Sequence, residues 1–168
     1  MNKIIQILFI VIATSVYGQF NKESTLKVQA DKMGKAFMSN DFQTFVKYSN
    51  PKLIKMIGGT KKMSEVVNKS IVDMKAKGMI FESITFSEPT KIVISGNELQ
   101  STIQQFTKVK TANGGAMSTS TLIAISADKG VNWTFVDTSN KDMATIKQLL
   151  PNLNNNIVIP KQVPVKYY

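Results

Sequence analysis

The apolar residues of this chain keep two different periods, and the change falls at Gly78. Before it they recur three and four apart, the spacing of one helix face. After it they alternate, the spacing of one strand face. That single switch predicts an α+β fold: helices first, then a curved antiparallel sheet on one face of which they pack. Within the helical part, Leu26, Ala30, Met33 and Phe37 mark a helix from Thr25 to Ser39. Asn40-Asp41 interrupts it, and Asp41 is placed to cap a short helix carrying Phe42, Phe45 and Val46. Asn50-Pro51 closes that helix, because a residue before proline avoids the helical region. Pro51 to Ile57 then reads as a connector and Gly58-Gly59 as a turn. A third helix runs from Thr60 to Lys77, with Met63, Val66, Val67, Ile71 and Met74 on its inner face and Gly78 as its stop.

The strands follow in quick order. Met79 to Phe86 puts Ile80, Ile84 and Phe86 on one side, Lys91 to Ser95 is short, and Leu99 to Lys110 is long. Asn113-Gly114-Gly115 accepts positive φ cheaply and turns the chain into a partner strand, Ala116 to Ala127, with Val131 to Asp137 after it. Ser139 and Asp142 resemble a capping box opening a last short helix with Met143, Ile146, Leu149 and Leu150, stopped at Pro151. The remaining segment, 152–168, reads as an extended tail in which Ile157-Val158-Ile159 could form an edge strand.

With 168 residues, 43% hydrophobic and 19% charged, the chain can build one core, assigned to a single domain at 25–151 after a linker at 19–24. The first eighteen residues look different. Lys3 precedes an almost unbroken apolar run from Ile4 to Ala13, and Val16-Tyr17-Gly18 offers a small residue before a cut at Gln19. This is the pattern of a secretory signal peptide at 1–18, and the run is shorter than the roughly 20 apolar residues of a membrane span. The chain contains no cysteine, so it forms no disulfide and receives no lipid on a cysteine. The expectation is an exported bacterial protein, periplasmic or secreted, not a lipoprotein, without a membrane span once the signal is removed.

One motif stands out in "SADKGVNWTF". Ser126, Asp128, Gly130 and Trp133 fit S-x-D-x-G-x-x-W, which resembles the Asp-box of sialidases and related glycan-active proteins. In that resemblance the box is a structural β-hairpin turn: Asp accepts turn amides, Gly supplies the permissive backbone and Trp packs on the flank. Sialidases grip their substrate's carboxylate with arginines, and all 21 basic residues of this chain are lysines. The motif is therefore read as a turn and not as a sialidase site.

Further chemistry is narrowed by what is missing. Without histidine or cysteine there is no Ser-His or Cys-His nucleophile and no customary zinc set, so the catalytic, metal and cofactor assignments are none. The charge of +10 comes from scattered lysines, which read as a solvated surface. Lacking arginine's bidentate fork, the chain is not expected to read nucleic acid. Gln100, Thr102 and Gln104, with Ser118 to Thr121 on the partner strand, form a hydroxyl and amide region read as a solvated sheet face, or as a platform for a glycan or peptide.

The order of elements, and the stretch "AFMSNDFQTFVKYSNPKL" from Ala36 to Leu53, resemble the cone-shaped nuclear-transport-factor-like superfamily, which includes ketosteroid isomerase and scytalone dehydratase. The resemblance would span Thr25 to Asp137 and implies an apolar pocket between helices and sheet, with Tyr48 as its weak lining candidate. The reading is an exported, non-catalytic domain binding a small ligand or a protein partner, with a homodimer through the sheet as one form of that pairing. The alternative is a carboxylate-dependent isomerase or hydrolase using the cone.

Overall fold

The computed structural model describes the backbone from Ile10 to Tyr168 and side chains from Lys22 onward. The predicted leader at 1–18 lies outside the residues whose side chains are described. The fold is α+β, in the order α1 (Ile10–Met38), α2 (Phe42–Val46), α3 (Pro51–Ile57), α4 (Thr60–Ala76), β1 (Ile80–Phe86), β2 (Val93–Ser95), β3 (Glu98–Thr111), β4 (Gly114–Ser126), β5 (Thr134–Asp137), α5 (Met143–Leu149) and β6 (Lys166–Tyr167). Among the described residues no helix is long and apolar enough to cross a membrane.

The helical half differs from expectation at two points. The segment 19–24, read as a linker, is already helical within α1. Pro51 to Ile57 is a helix and not a connector: Asn50 accepts the Lys52 amide through its side chain at 3.0 Å, and proline at the first turn gives up an N–H that has no helical partner there. The same Asn-Pro pair thus separates two helices by starting the second. At the earlier break Asn40 adopts φ of 60°, and Asp41 accepts the Thr44 amide at 3.0 Å to open α2.

The named strands pair antiparallel, with spine β1-β3-β4-β5; β2 also pairs β3, and β6 also pairs β4. The β1–β3 register shifts between Phe81 and Ser83, where Glu82 is the extra residue. This bulge reverses the sidedness of the strand's start. Phe81, not Ile80, joins the helix-facing side and meets Phe37 edge-on at 5.0 Å, while Ile80 stands in solvent. Val66, assigned to the inner face of α4, is also exposed.

Two cores result, one on each face of the sheet. Leu26, Ala30 and Met33 of α1 pack on Phe86, Ile103, Leu122, Ala124, Trp133 and Phe135. On the opposite face, Ile123, Ile125 and Val136 pack with Ile146, Leu149 and Leu150, and Leu53, Leu153 and Ile159 lie against them. The N-terminal helices pack on one face, as expected, and α5 and the tail cover the other. The cap of α5 is Asp142, which accepts the Thr145 amide at 2.7 Å; Ser139 instead donates its amide to Asp137 in the preceding turn.

The tail also explains the polar residues of the long strands. Gln100, Ser101 and Thr102 are buried, not solvated. Gln100 donates Nε2 to the Asn152 carbonyl and accepts the Asn154 amide, fastening the tail to the sheet. Ser101 and Thr102 bond Thr90 in the β1–β2 connection. The tail's strand is not 157–159 but Lys166–Tyr167, paired with Met117 and Ala116. Beyond it, the Gly115 amide donates to the Tyr168 carbonyl at 2.7 Å, and a Cβ on Gly115 would lie 2.4 Å from the Tyr168 ring.

Candidate functional site

Between helices and sheet lies a partly open cavity of about 250 Å³. Its apolar wall comes from Met33, Phe37, Phe45, Leu53, Met63, Phe81, Ile84, Leu122 and Phe135. Strand alternation supplies the polar part. Gln105 and Thr107 of β3 lie on the same face as Ile103, and Gln105 donates to Thr107 at 3.1 Å. Asp137 pairs with Leu122 at the end of β5 and so shares that face. Ser49, buried after α2, completes the polar group. Asp137 is the one titratable side chain on this lining, and its Oδ1 accepts the Ser139 amide at 2.8 Å.

Tyr48 is not on the lining. It is half-buried against the first core, and its carbonyl accepts the Phe135 amide at 2.7 Å, while Asn50 donates to the Phe135 carbonyl. These two bonds lash the exit of α2 to β5, which directs Ser49 rather than Tyr48 to the cavity. The lining takes the neighbouring Ser49 because the chain leaves α2 through an irregular turn, in which the Tyr48 and Ser49 amides still donate to the Phe45 and Val46 carbonyls. Asp137 was legible: it lies two residues from Phe135, on the same strand face. Gln105 and Thr107 follow from the same alternation once Ile103 is known to face the helices.

The Asp-box residues lie elsewhere and are saturated by their own turn. Ser126 Oγ donates to Asp128 at 2.8 Å and accepts the Gly130 amide at 2.8 Å. Asp128 accepts the Asn132 amide at 2.8 Å and its side-chain amide at 2.7 Å, and these bonds hold its carboxyl below the usual carboxylate range. Gly130 has φ of 95°, and its carbonyl accepts Trp133 Nε1 at 3.1 Å. Trp133 is buried in the first core. Gln29 of α1 accepts the Trp133 amide and donates to the Val131 carbonyl, both at 2.8 Å, tying the turn to the helix.

Asp128 and Glu98 both border an open cleft of about 450 Å³ with Asn50, Lys52, Asn132 and Thr134. Both oxygens of Asp128 are engaged by Asn132 and Ser126, and Glu98 accepts Gln100 Nε2 at 2.9 Å. This is a pair of anchoring acids, not a free acid and base. Among the described residues no group of three or more acidic, histidine or cysteine side chains could hold a metal ion. Compared with known protein families and curated proteins, the chain matches no family model and no curated protein.

Proposed function

We propose that the chain is an exported, non-catalytic domain of the nuclear-transport-factor-like kind that holds a small, largely apolar ligand between its helices and sheet. The observation that carries this reading is the cavity: nine apolar side chains surround it, and Ser49, Gln105, Thr107 and Asp137 give it a polar end. Such a lining, mostly apolar with few convergent polar groups, suits a compact hydrophobic molecule bearing one hydroxyl, amine or carbonyl. Export rests on the leader-like residues 1–18.

Thermal-shift screening against fatty acids, sterols and short glycans tests the reading. The lipid or sterol class is expected to raise the unfolding midpoint. Thr107→Phe, which fills the cavity, is expected to remove that shift, and Asp137→Asn to weaken it for ligands with a polar end. Absence of stabilisation by any class overturns the proposal.

A second reading follows from Asp137 alone. An aspartate at the end of an apolar cavity is suited to take a proton from carbon beside a carbonyl and return it to a neighbouring carbon, as in an isomerase. Solvent deuterium incorporated into a bound enone, and lost in Asp137→Asn, would favour this reading over simple binding.

A further inference from the structure

The positive charge of the chain is unevenly placed. Residues 22–78, the helical half, carry twelve lysines against five acids, a net of +7; residues 79–168 carry eight against six, a net of +2. Within the helical half the concentration is sharper still. From Phe42 to Ser64 there are five lysines, Lys47, Lys52, Lys55, Lys61 and Lys62, and no acid. The centre of this stretch is the α3–α4 hairpin, "KMIGGTKK", Lys55 to Lys62.

Its geometry places charge and apolar surface together. Lys55, Lys61 and Lys62 are exposed on either side of the Gly58-Gly59 turn, where both glycines have φ of 100°. Met56, the residue next to that turn's helix end, is 67% exposed, and α3 contains no fully buried residue. Among the described residues these three lysines make one ion pair, a loose one of Lys62 with Glu65 at 3.8 Å. Lys52 stands apart, since its Nζ donates to the Gln148 carbonyl. Farther along α4, Val66 and Val72 add exposed apolar surface beside Lys62 and Lys69. Long lysine stems around a methionine make a compact amphipathic tip: the thioether side chain can enter an acyl boundary while the ammonium groups stay among headgroups.

We propose that the α3–α4 hairpin docks on an anionic lipid bilayer, with Met56 entering the interface and Lys55, Lys61 and Lys62 meeting lipid phosphates. Charge complementarity selects this occupant. Lysines that lack arginine's planar fork act as point charges, which suits the diffuse charge of a lipid surface better than the directed edges of a nucleic acid. The docking site does not depend on the cavity being a ligand site, although Leu53 of α3 and Met63 of α4 line that cavity.

The test is co-sedimentation of the full chain with vesicles of phosphatidylcholine alone and of phosphatidylcholine with about one third phosphatidylglycerol, at low and high salt. Binding is expected to the mixed vesicles, to fall with salt, and to be nearly absent from the neutral ones. Lys55→Gln/Lys61→Gln/Lys62→Gln is expected to weaken partitioning by about a hundredfold, at roughly fivefold per lysine. Met56→Ser is expected to reduce it by about tenfold, and Lys108→Gln/Lys110→Gln, on the sheet hairpin, to leave it unchanged. Circular dichroism and unfolding midpoints confirm that the variants, all at exposed positions, remain folded. Equal binding to both vesicle types overturns the proposal. So does full binding by the triple-lysine variant, which would assign attachment to the apolar N-terminal residues, or tighter binding to a DNA duplex than to the anionic vesicles at equal salt.

Discussion

Gln100 shows how one side chain can hold two parts of a fold. It is fully buried, and its amide group meets the Asn152 carbonyl, the Asn154 amide and the Glu98 carboxylate. Gln100→Ala leaves the Asn154 amide without its partner, while the Asn152 carbonyl keeps Ser95 Oγ, and is expected to cost about 1–3 kcal/mol, read by denaturant unfolding. Hydrogen exchange at Asn154 should quicken at the same time. Three aspartates make a second residue-scale prediction. Asp41 is held below the usual carboxylate range by its hydrogen bonds to Thr44, Asp128 by those to Asn132, and Asp142 by those to Thr145. A carboxyl whose folded pKa is depressed adds stability above its unfolded pKa and loses it as pH falls through the folded one. The unfolding midpoint should therefore drop as pH is lowered below about 4, and an Asp41→Asn/Asp128→Asn/Asp142→Asn variant should show a flatter decline.

At the scale of elements, the contact between α1 and β1 is set by Gly34. A Cβ there would lie 2.9 Å from the Phe86 ring and 3.3 Å from Ile84. Gly34→Ala should push the helix off the strand and destabilise the fold by about 1–3 kcal/mol, with a shift of the Phe86 ring signals in NMR. How much of this level was legible can be argued from particular pieces. Leu26, Ala30 and Met33 announced α1 because a three-four spacing of large apolar groups has few other uses. The hairpin between β3 and β4 was legible from Asn113-Gly114-Gly115. The bulge at Glu82 was not, because nothing in a run of alternating residues marks an inserted one; only the pairing partner reveals it. The helix at Pro51–Ile57 was hidden because proline both ends and begins helices, and Asn50's capping bond decides between them. Of the cavity, Asp137 was within reach of strand periodicity. Ser49 was not, since an irregular turn places it.

For the whole molecule, the main departure from expectation is the segment 152–168. Of the strand residues that looked solvated, Gln100 is the seat on which this tail lies, because a buried amide needs partners and the tail's backbone provides them, while Ser101 and Thr102 find theirs in Thr90. Removing residues 152–168 takes Leu153 and Ile159 from the second core and should cost about 2–3 kcal/mol in apolar burial alone, lowering the unfolding midpoint. Because the cavity lining contains no residue beyond Asp137, ligand stabilisation should persist in whatever fraction of the truncated chain stays folded.

The joining of Tyr168 to Gly115 separates two stages of folding. The helices α1 to α4 and strands β1–β5 hold the whole of the first core and need nothing beyond Asp137, whereas the outer layer needs α5 and the segment 152–168 in place. Until these dock, Ile123, Ile125 and Val136 have no complete cover, so the half-closed chain is the form most open to chaperones and to sticking to its neighbours.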